Sequence, residues 1–169
     1  SNFNTVASNV IAGSGGYGVV VTGTDSQGTL GNNNRILNNQ VGTNSSGNVV
    51  LGNRASAAYL GDVSGNLLSG NTLSGSGEHG VLVRFSSNNN RIQNNRIGTD
   101  AAGGVPFANQ QAGIRLSDGA YNNYIGTDGD GVNDEHEGNL ISGNAQAGIE
   151  ITSTTTSANV VAGNLIGSS

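Results

Sequence analysis

The chain has 169 residues with a formal net charge of −5, and it contains 29 Gly, 26 Asn and no Cys, Met, Trp or Lys. Phosphate binding needs a basic stripe, so this balance argues against nucleic acid as a partner. No apolar run is long enough for a membrane span, and the absence of Cys excludes a disulfide framework. We therefore expect neither nucleic-acid binding nor membrane insertion.

A short phrase recurs along the chain: Asn, any residue and an aliphatic residue, then two residues, then the same three again. Full copies begin at Asn4, Asn34, Asn66, Asn90 and Asn159, and a near-copy runs from Asn139 to Asn144. A second phrase, Gly followed by two aliphatic residues two positions apart, begins at Gly18, Gly80, Gly113 and Gly148, with a degenerate copy at Ala57. Recurrence at a period of roughly 20–50 residues is typical of solenoid proteins.

The two phrases together predict three short strands in each repeat, because apolar residues two apart have the period of a β-strand. Only two residues separate the two Asn strands of a repeat, which is too few for a parallel crossover within one sheet. The chain must turn a corner there, so that each strand pairs with its counterpart one coil away. The sequence thus predicts an all-β parallel β-helix of about five to six coils, with Asn ladders at the corners.

Four insertions make the coils unequal in length. They lie at about 22–33, 42–56, 98–112 and 126–138. Insertions in solenoids emerge on one face and often shape the binding surface, so we expect the same here.

The phrases "NNRIQNNRIGTDAAGG", "NNYIGTDGDG", "EGNLISGNAQAGIEI" and "ANVVAGNLIG" resemble the right-handed parallel β-helix repeat of large secreted or surface bacterial proteins. The resemblance covers nearly the whole chain and implies kinship in fold with the pectate-lyase-like superfamily. That superfamily includes polysaccharide lyases, hydrolases and mannuronan epimerases, and also adhesins without catalysis. Because shared fold is a poor guide to activity, the resemblance leaves both classes open.

In the polysaccharide-active relatives the site is an outward groove of clustered carboxylates with Arg, Lys or His. The outward positions of the Gly-phrase strands here are Val20, Tyr59, Leu82, Arg115 and Glu150. The enzymatic interpretation is a lyase or epimerase of acidic glycans, with a site formed by Arg84, Arg115, Asp118 and Glu150. The alternative is that Arg115 and Glu150 form a structural ion pair, which we favour because no paired carboxylates stand on adjacent coils. His79 and His136 are expected in loops without partners, and no aromatic platform for a glycan is evident.

Residues 126–137 form an acidic loop that can be laid on an EF-hand-type calcium loop. The predicted calcium ligands are Asp128, Asp130, the carbonyl of Val132, Asp134 and Glu137. The first ligand position, normally Asp, is Gly126, so a replacement would have to come from Asp118 or from water. A calcium site and a solvated acidic loop therefore remain two open interpretations.

Taken together, these patterns predict one β-helix domain over residues 1–169, either part of a longer array or a subunit that stacks. No capping unit is evident at either end, which favours self-association end to end or flanking β-helix coils. We expect a non-catalytic structural or adhesive module of a secreted or cell-surface bacterial protein, stabilised by calcium if the acidic loop binds it. Contact with a glycan is a further possibility.

Overall fold

The computed structural model describes residues 2–23 and 31–167. Over these residues the backbone forms 17 short β-strands and a single turn of 3-10 helix at Asp134–His136. No helix in this part of the chain is long and apolar enough to cross a membrane. The predicted all-β class is thus confirmed.

The strands fall into three parallel sheets, and each strand has two to four residues. Sheet A contains β1 (Thr5–Ala7), β4 (Arg35–Leu37), β7 (Leu67–Ser69), β10 (Arg91–Gln93), β13 (Tyr124–Gly126) and β16 (Val160–Ala162). Sheet B contains β2 (Val10–Ile11), β5 (Gln40–Val41), β8 (Thr72–Leu73), β11 (Arg96–Ile97), β14 (Leu140–Ile141) and β17 (Leu165–Ile166). Sheet C contains β3 (Val19–Thr22), β6 (Ala58–Gly61), β9 (Val81–Arg84), β12 (Ile114–Leu116) and β15 (Ile149–Ile151).

Consecutive strands belong to different sheets, and each pairs with the equivalent strand one coil away. Two sheets have six strands and the third has five, which gives five complete coils and two strands of a sixth. The chain is therefore a parallel β-helix with three strands per coil, as the two alternating phrases predict.

The interior is filled by columns of aliphatic side chains, one residue from each coil. In sheet A, Ile36 is in register with Leu68, and Leu68 is in register with Ile92. All three are at most 1% exposed. The strands of the central coils contribute one or two such residues each, whereas the aliphatic residues of the last coil, such as Val161 and Ile166, are partly exposed. Burial in columns of this kind needs few aromatic side chains.

Two corners of each coil carry an Asn that bonds to the Asn of the next coil. At a typical rung, the backbone N and Nδ2 of Asn39 both donate to Oδ1 of Asn71, at 2.9 and 3.0 Å. The residue before nearly every ladder Asn has a left-handed backbone, for example Asn38 with φ near +54°; Gly138, before Asn139, is the exception. The corner thus uses one residue for the turn and the next for the ladder, which explains why the phrase is so regular.

The prediction for the near-copy from Asn139 to Asn144 is wrong, because these two Asn residues do not occupy the two ladder corners of one coil. Asn139 belongs to the ladder of sheet B, where its Oδ1 accepts from Asn95. The sheet A position of the same coil is held by Asn123, which the acidic insertion separates from Asn139. Asn144 lies at the third corner and bonds Asn109 instead.

The insertions leave the helix at two different corners, so the expectation of a single face is wrong. Those at 42–56 and 98–112 lie between sheets B and C and fold as matching hairpins, bridged at Thr43–Val50 and Thr99–Pro106. The insertion at 126–138 lies between sheets A and B. Most of the insertion predicted at 22–33 lies outside the residues that the structure describes.

Candidate functional site

The outward face of sheet C carries the most varied side chains of the β-helix. Strand register places Val20, Tyr59, Leu82, Arg115 and Glu150 in one column, as the alternation in the sequence predicts. Leu82 is only 6% exposed although it points outward. Its neighbours on the adjacent strands, Tyr59 and Arg115, are large enough to cover it. Leu82 and Arg115 of this column line a groove.

The four residues of the enzymatic interpretation come together at this groove as two ion pairs, with Arg84, Arg115 and Asp118 in its lining and Glu150 beside it. Arg84 Nη2 lies 2.8 Å from Asp118 Oδ2, and Arg115 Nη1 lies 3.5 Å from Glu150 Oε2. Each pair joins residues one coil apart. The groove has a volume of about 310 Å³, and its lining residues are Tyr17, Glu78, His79, Leu82, Arg84, Gln111, Arg115, Ser117 and Asp118.

His79 also lies in this groove, whereas the sequence predicts it in a loop without partners. It is 4% exposed, and its backbone carbonyl accepts a hydrogen bond from Ala57 N at 3.0 Å. Burial lowers the pKa of the imidazole, and the nearby Arg115 guanidinium lowers it further, against the opposing effect of Glu150 and Glu78. The ring is therefore held in its neutral form near neutral pH.

This lowered pKa of His79 predicts a pH-dependent stability. The unfolded chain takes up a proton near pH 6.5, before the folded chain does, so folding is most favourable above that pH. The free energy of unfolding should fall as the pH is lowered through 6.5 and level off once folded His79 is also protonated. Urea titrations at several pH values test this.

The matched variants for that test are His79→Gln and His136→Gln. His79→Gln should flatten the stability profile between about pH 7 and 5. His136 lies in the acidic loop with 74% of its side chain exposed, so its replacement should leave the profile unchanged. An unaltered slope in His79→Gln would contradict the assignment.

An aromatic pair borders the groove, although no aromatic platform is evident from the sequence. The rings of Tyr17 and Tyr59 lie 4.9 Å apart between centroids, tilted by 32°. The Tyr59 ring lies over Gly61, where an added Cβ would come within 2.5 Å of the phenol oxygen. Burial is the main cause that raises the pKa of Tyr59, so its hydroxyl stays protonated. Gly61 thus provides the space in which this ring is placed.

The acidic loop brings three of its five predicted calcium ligands together. One carboxylate oxygen from each of Asp128, Asp134 and Glu137 lies within 4.8 Å of the others. Asp130 is not part of this cluster, and its Oδ1 accepts a hydrogen bond from Val132 N at 2.8 Å. The fold thus brings the carboxylates of Asp128, Asp134 and Glu137 close together.

Two neighbouring groups affect how this cluster could hold a cation. The Arg91 guanidinium on sheet A forms an ion pair with Asp128, whose side chain is only 5% exposed. Asp118, considered above as a replacement for the missing first ligand, is paired with Arg84 in the sheet C groove. Any calcium ion would thus share Asp128 with an Arg and take its remaining ligands from the loop or from water.

Calcium binding at this loop stays a prediction, and the ion pair between Arg91 and Asp128 provides a further way to test it. Calcium should raise the melting temperature by mass action. The rise should be larger in Arg91→Ala, because the competing guanidinium is gone, and it should be lost in Asp134→Asn. Melting curves with calcium and with chelator measure this. If neither the native chain nor Arg91→Ala responds to millimolar calcium, the loop is a solvated acidic turn.

Stacked coils of three short parallel strands define the class of parallel β-helix proteins. The family described as "Right handed beta helix region" matches residues 1–167, so the chain belongs to this family. The match confirms the right-handed winding and the resemblance seen in the repeat. A comparison with curated proteins found no match.

Among solved structures, the chain is similar to the periplasmic alginate epimerase AlgG, with 17% identity and a TM-score of 0.57 over 96% of this chain. A single-substitution mutant of AlgG gives 14% identity and a TM-score of 0.61 over 98% of this chain. A double mutant gives 18% and 0.58 over 95%. The chain spans about two fifths of the length of these structures, 39–40%. Similarity at this identity shows the fold alone.

Proposed function

We propose that this chain is a non-catalytic structural and adhesive β-helix module of a protein that works outside the cytoplasm, secreted or on a bacterial surface. The observation that supports this most is the pairing of both Arg side chains of the sheet C groove with carboxylates of the chain itself. An enzyme that acts on acidic sugars needs cationic groups free to meet the substrate carboxylate. Here those groups bridge neighbouring coils.

The proposed location is supported by one observation. The similar AlgG structures are described as periplasmic. Fractionation of the cells that produce the protein would test the location, and a purely cytoplasmic signal would contradict it.

The Asn ladders have a direction, and this supports end-to-end assembly. In each rung, the amide groups of one Asn donate to Oδ1 of the Asn in the following coil. Within residues 2–23 and 31–167, Oδ1 of Asn4 and of Asn9 accept no bond at the first coil, and Asn159 and Asn164 have no following Asn at the last. The two ends are thus complementary, and we propose that flanking coils or a second copy continue the ladders.

Association between copies is tested by sedimentation over a wide range of concentration. Head-to-tail contacts that do not close form open filaments, so the particle size should rise steadily with concentration. A particle that stays monomeric at every concentration would contradict association between copies.

A second candidate function is a lyase or epimerase of acidic glycans. The position of His79 favours it, since a buried neutral imidazole beside Arg115 in a groove is a suitable general base. In this case Arg115 would leave Glu150 and bind the substrate carboxylate. Because this chain covers only a small share of the AlgG structures, the comparison carries no argument about its activity.

Incubation with acidic polysaccharides separates the proposed scaffold role from a lyase. Polymannuronate and polygalacturonate are supplied at about pH 8 with calcium, and the absorbance of unsaturated products is followed. The proposal expects no product above a protein-free control. Product formation that disappears in both Arg115→Ala and His79→Ala would establish the enzyme instead.

A further inference from the structure

The lining of the sheet C groove carries no net charge. Its two carboxylates, from Glu78 and Asp118, are balanced by the guanidinium groups of Arg84 and Arg115 when the imidazole of His79 is neutral. Arg84 is paired with Asp118, and Arg115 with Glu150 beside the groove. An acidic polysaccharide would therefore meet no net attraction along the groove, and it would have to break these ion pairs to reach a cationic group.

The same groups are well suited to sugar hydroxyls, which both donate and accept hydrogen bonds. Carboxylates accept from hydroxyls, and the side chains of Gln111 and Ser117 in the lining do both. Two buried nitrogen atoms here have no hydrogen-bond partner among the described residues, Nδ1 of His79 and Nε of Arg84. Unpaired buried polar atoms are costly, so a ligand that reaches them gains binding energy. The side chain of His79 is almost wholly buried, at 4% exposure.

An aromatic surface borders these polar groups. Tyr17 lines the groove and is partly exposed, and its ring rests against Tyr59. An aromatic ring presents a flat apolar surface with a polar edge, which suits the C–H face of a sugar ring. The groove volume of about 310 Å³ is at the small end of the range of about 300–1,000 Å³ for ligand sites. This fits one or two sugar units of a chain that continues outside.

We propose that the sheet C groove binds a neutral oligosaccharide, with the Tyr17 ring against a sugar face and the carboxylates of Glu78 and Asp118 accepting from hydroxyl groups. The proposal rests on the non-catalytic adhesive role given above and names its ligand class. It differs from the enzymatic candidate in the charge of the sugar. The ion pairs stay intact on binding, so the groove is already formed in the free protein.

Binding is measured by calorimetry and by NMR shifts of the intact 169-residue chain at one fixed salt concentration. The neutral probes are cellohexaose, maltohexaose and mannohexaose, and the charged probes are hexagalacturonate and the glucosamine hexamer. At least one neutral hexasaccharide should bind, and more tightly than both charged ones. Tyr17→Ala should weaken it by about tenfold, whereas Tyr17→Phe should retain it, because the ring supplies the contact.

Tyr124→Ala serves as the matched control, since Tyr124 is a partly exposed Tyr on the outward side of sheet A. It should leave the affinity unchanged. Preference for either charged hexamer, absence of binding by all three neutral ones, or equal affinity in Tyr17→Ala would each overturn the proposal. None of these results bears on turnover of polysaccharide, so the scaffold role is tested separately.

Discussion

Replacing Leu68 with alanine is expected to lower the free energy of unfolding by about 3–4 kcal/mol, as large-to-small changes in tightly packed interiors do. Leu68 is fully buried between Ile36 and Ile92 in the central coils. Neighbouring coils are held at the spacing of β-strands by their backbone bonds, so they cannot close the cavity left behind. Urea unfolding curves with a common slope give the difference directly.

The matched control for this prediction is Leu51→Ala. Leu51 lies in an inserted hairpin and is 46% exposed. Its replacement should change the stability by no more than about 0.5 kcal/mol. Equal losses in the two variants would mean that the interior column is not what stabilises the stack.

Replacing Asn71 with alanine is expected to cost a similar amount, about 3–5 kcal/mol, through polar groups left unpaired. Its Nδ2 donates to the Ile36 carbonyl and to Asn95 Oδ1, both at 2.9 Å. Its Oδ1 accepts from both nitrogen atoms of Asn39. All of these groups are buried, so removing one side chain leaves partners without bonds on both adjacent coils.

Asn9→Ala provides the comparison within the same ladder. Asn9 is exposed, and its side chain donates to Asn39 Oδ1 and the Ala7 carbonyl without accepting from another Asn in the described part of the chain. The expected cost is about 1 kcal/mol. Asn71→Asp keeps the shape and removes the donors, so it should be at least as destabilising as Asn71→Ala. Similar small losses for Asn9→Ala and Asn71→Ala would contradict a cooperative ladder.

The fold could be predicted from the sequence because one phrase encodes both the corner and the interior. The Asn of the phrase occupies the ladder, and the aliphatic residue two positions later points inward, as Asn66 and Leu68 show. Counting from these anchors gives the register of the strands in sheets A and B. The assignment failed in the coil of Asn139, where the acidic insertion separates β13 from β14.

The groove could be predicted only in part. Arg115 and Glu150 follow from strand alternation, since both occupy the same outward column. Tyr17 and His79 lie outside the strands, at the end of corner segments whose path has no fixed period. One signal was present, because both residues stand immediately before the Gly that opens the second phrase. That position lies beside the outward column.

The arrangement of the acidic loop could not be predicted fully from the sequence. An EF-hand calcium loop is held between two helices, whereas this loop connects two strands and contains one turn of 3-10 helix. That turn follows Asn133, which has a left-handed backbone, and it brings Asp134 and Glu137 toward Asp128. Asp130 instead forms a local bond with the backbone. The spacing of the acidic residues along the sequence therefore does not by itself give their arrangement in space.

The most direct test of the non-catalytic role is exchange of the sugar proton next to the carboxylate. Elimination and epimerisation both begin by removing this proton, so proton NMR of polymannuronate and polygalacturonate in D2O would detect either reaction. We predict that the protein causes no loss of that signal beyond the rate in buffer. Deuterium incorporation that depends on His79 and Arg115 would contradict the account and identify the chain as an enzyme of acidic glycans.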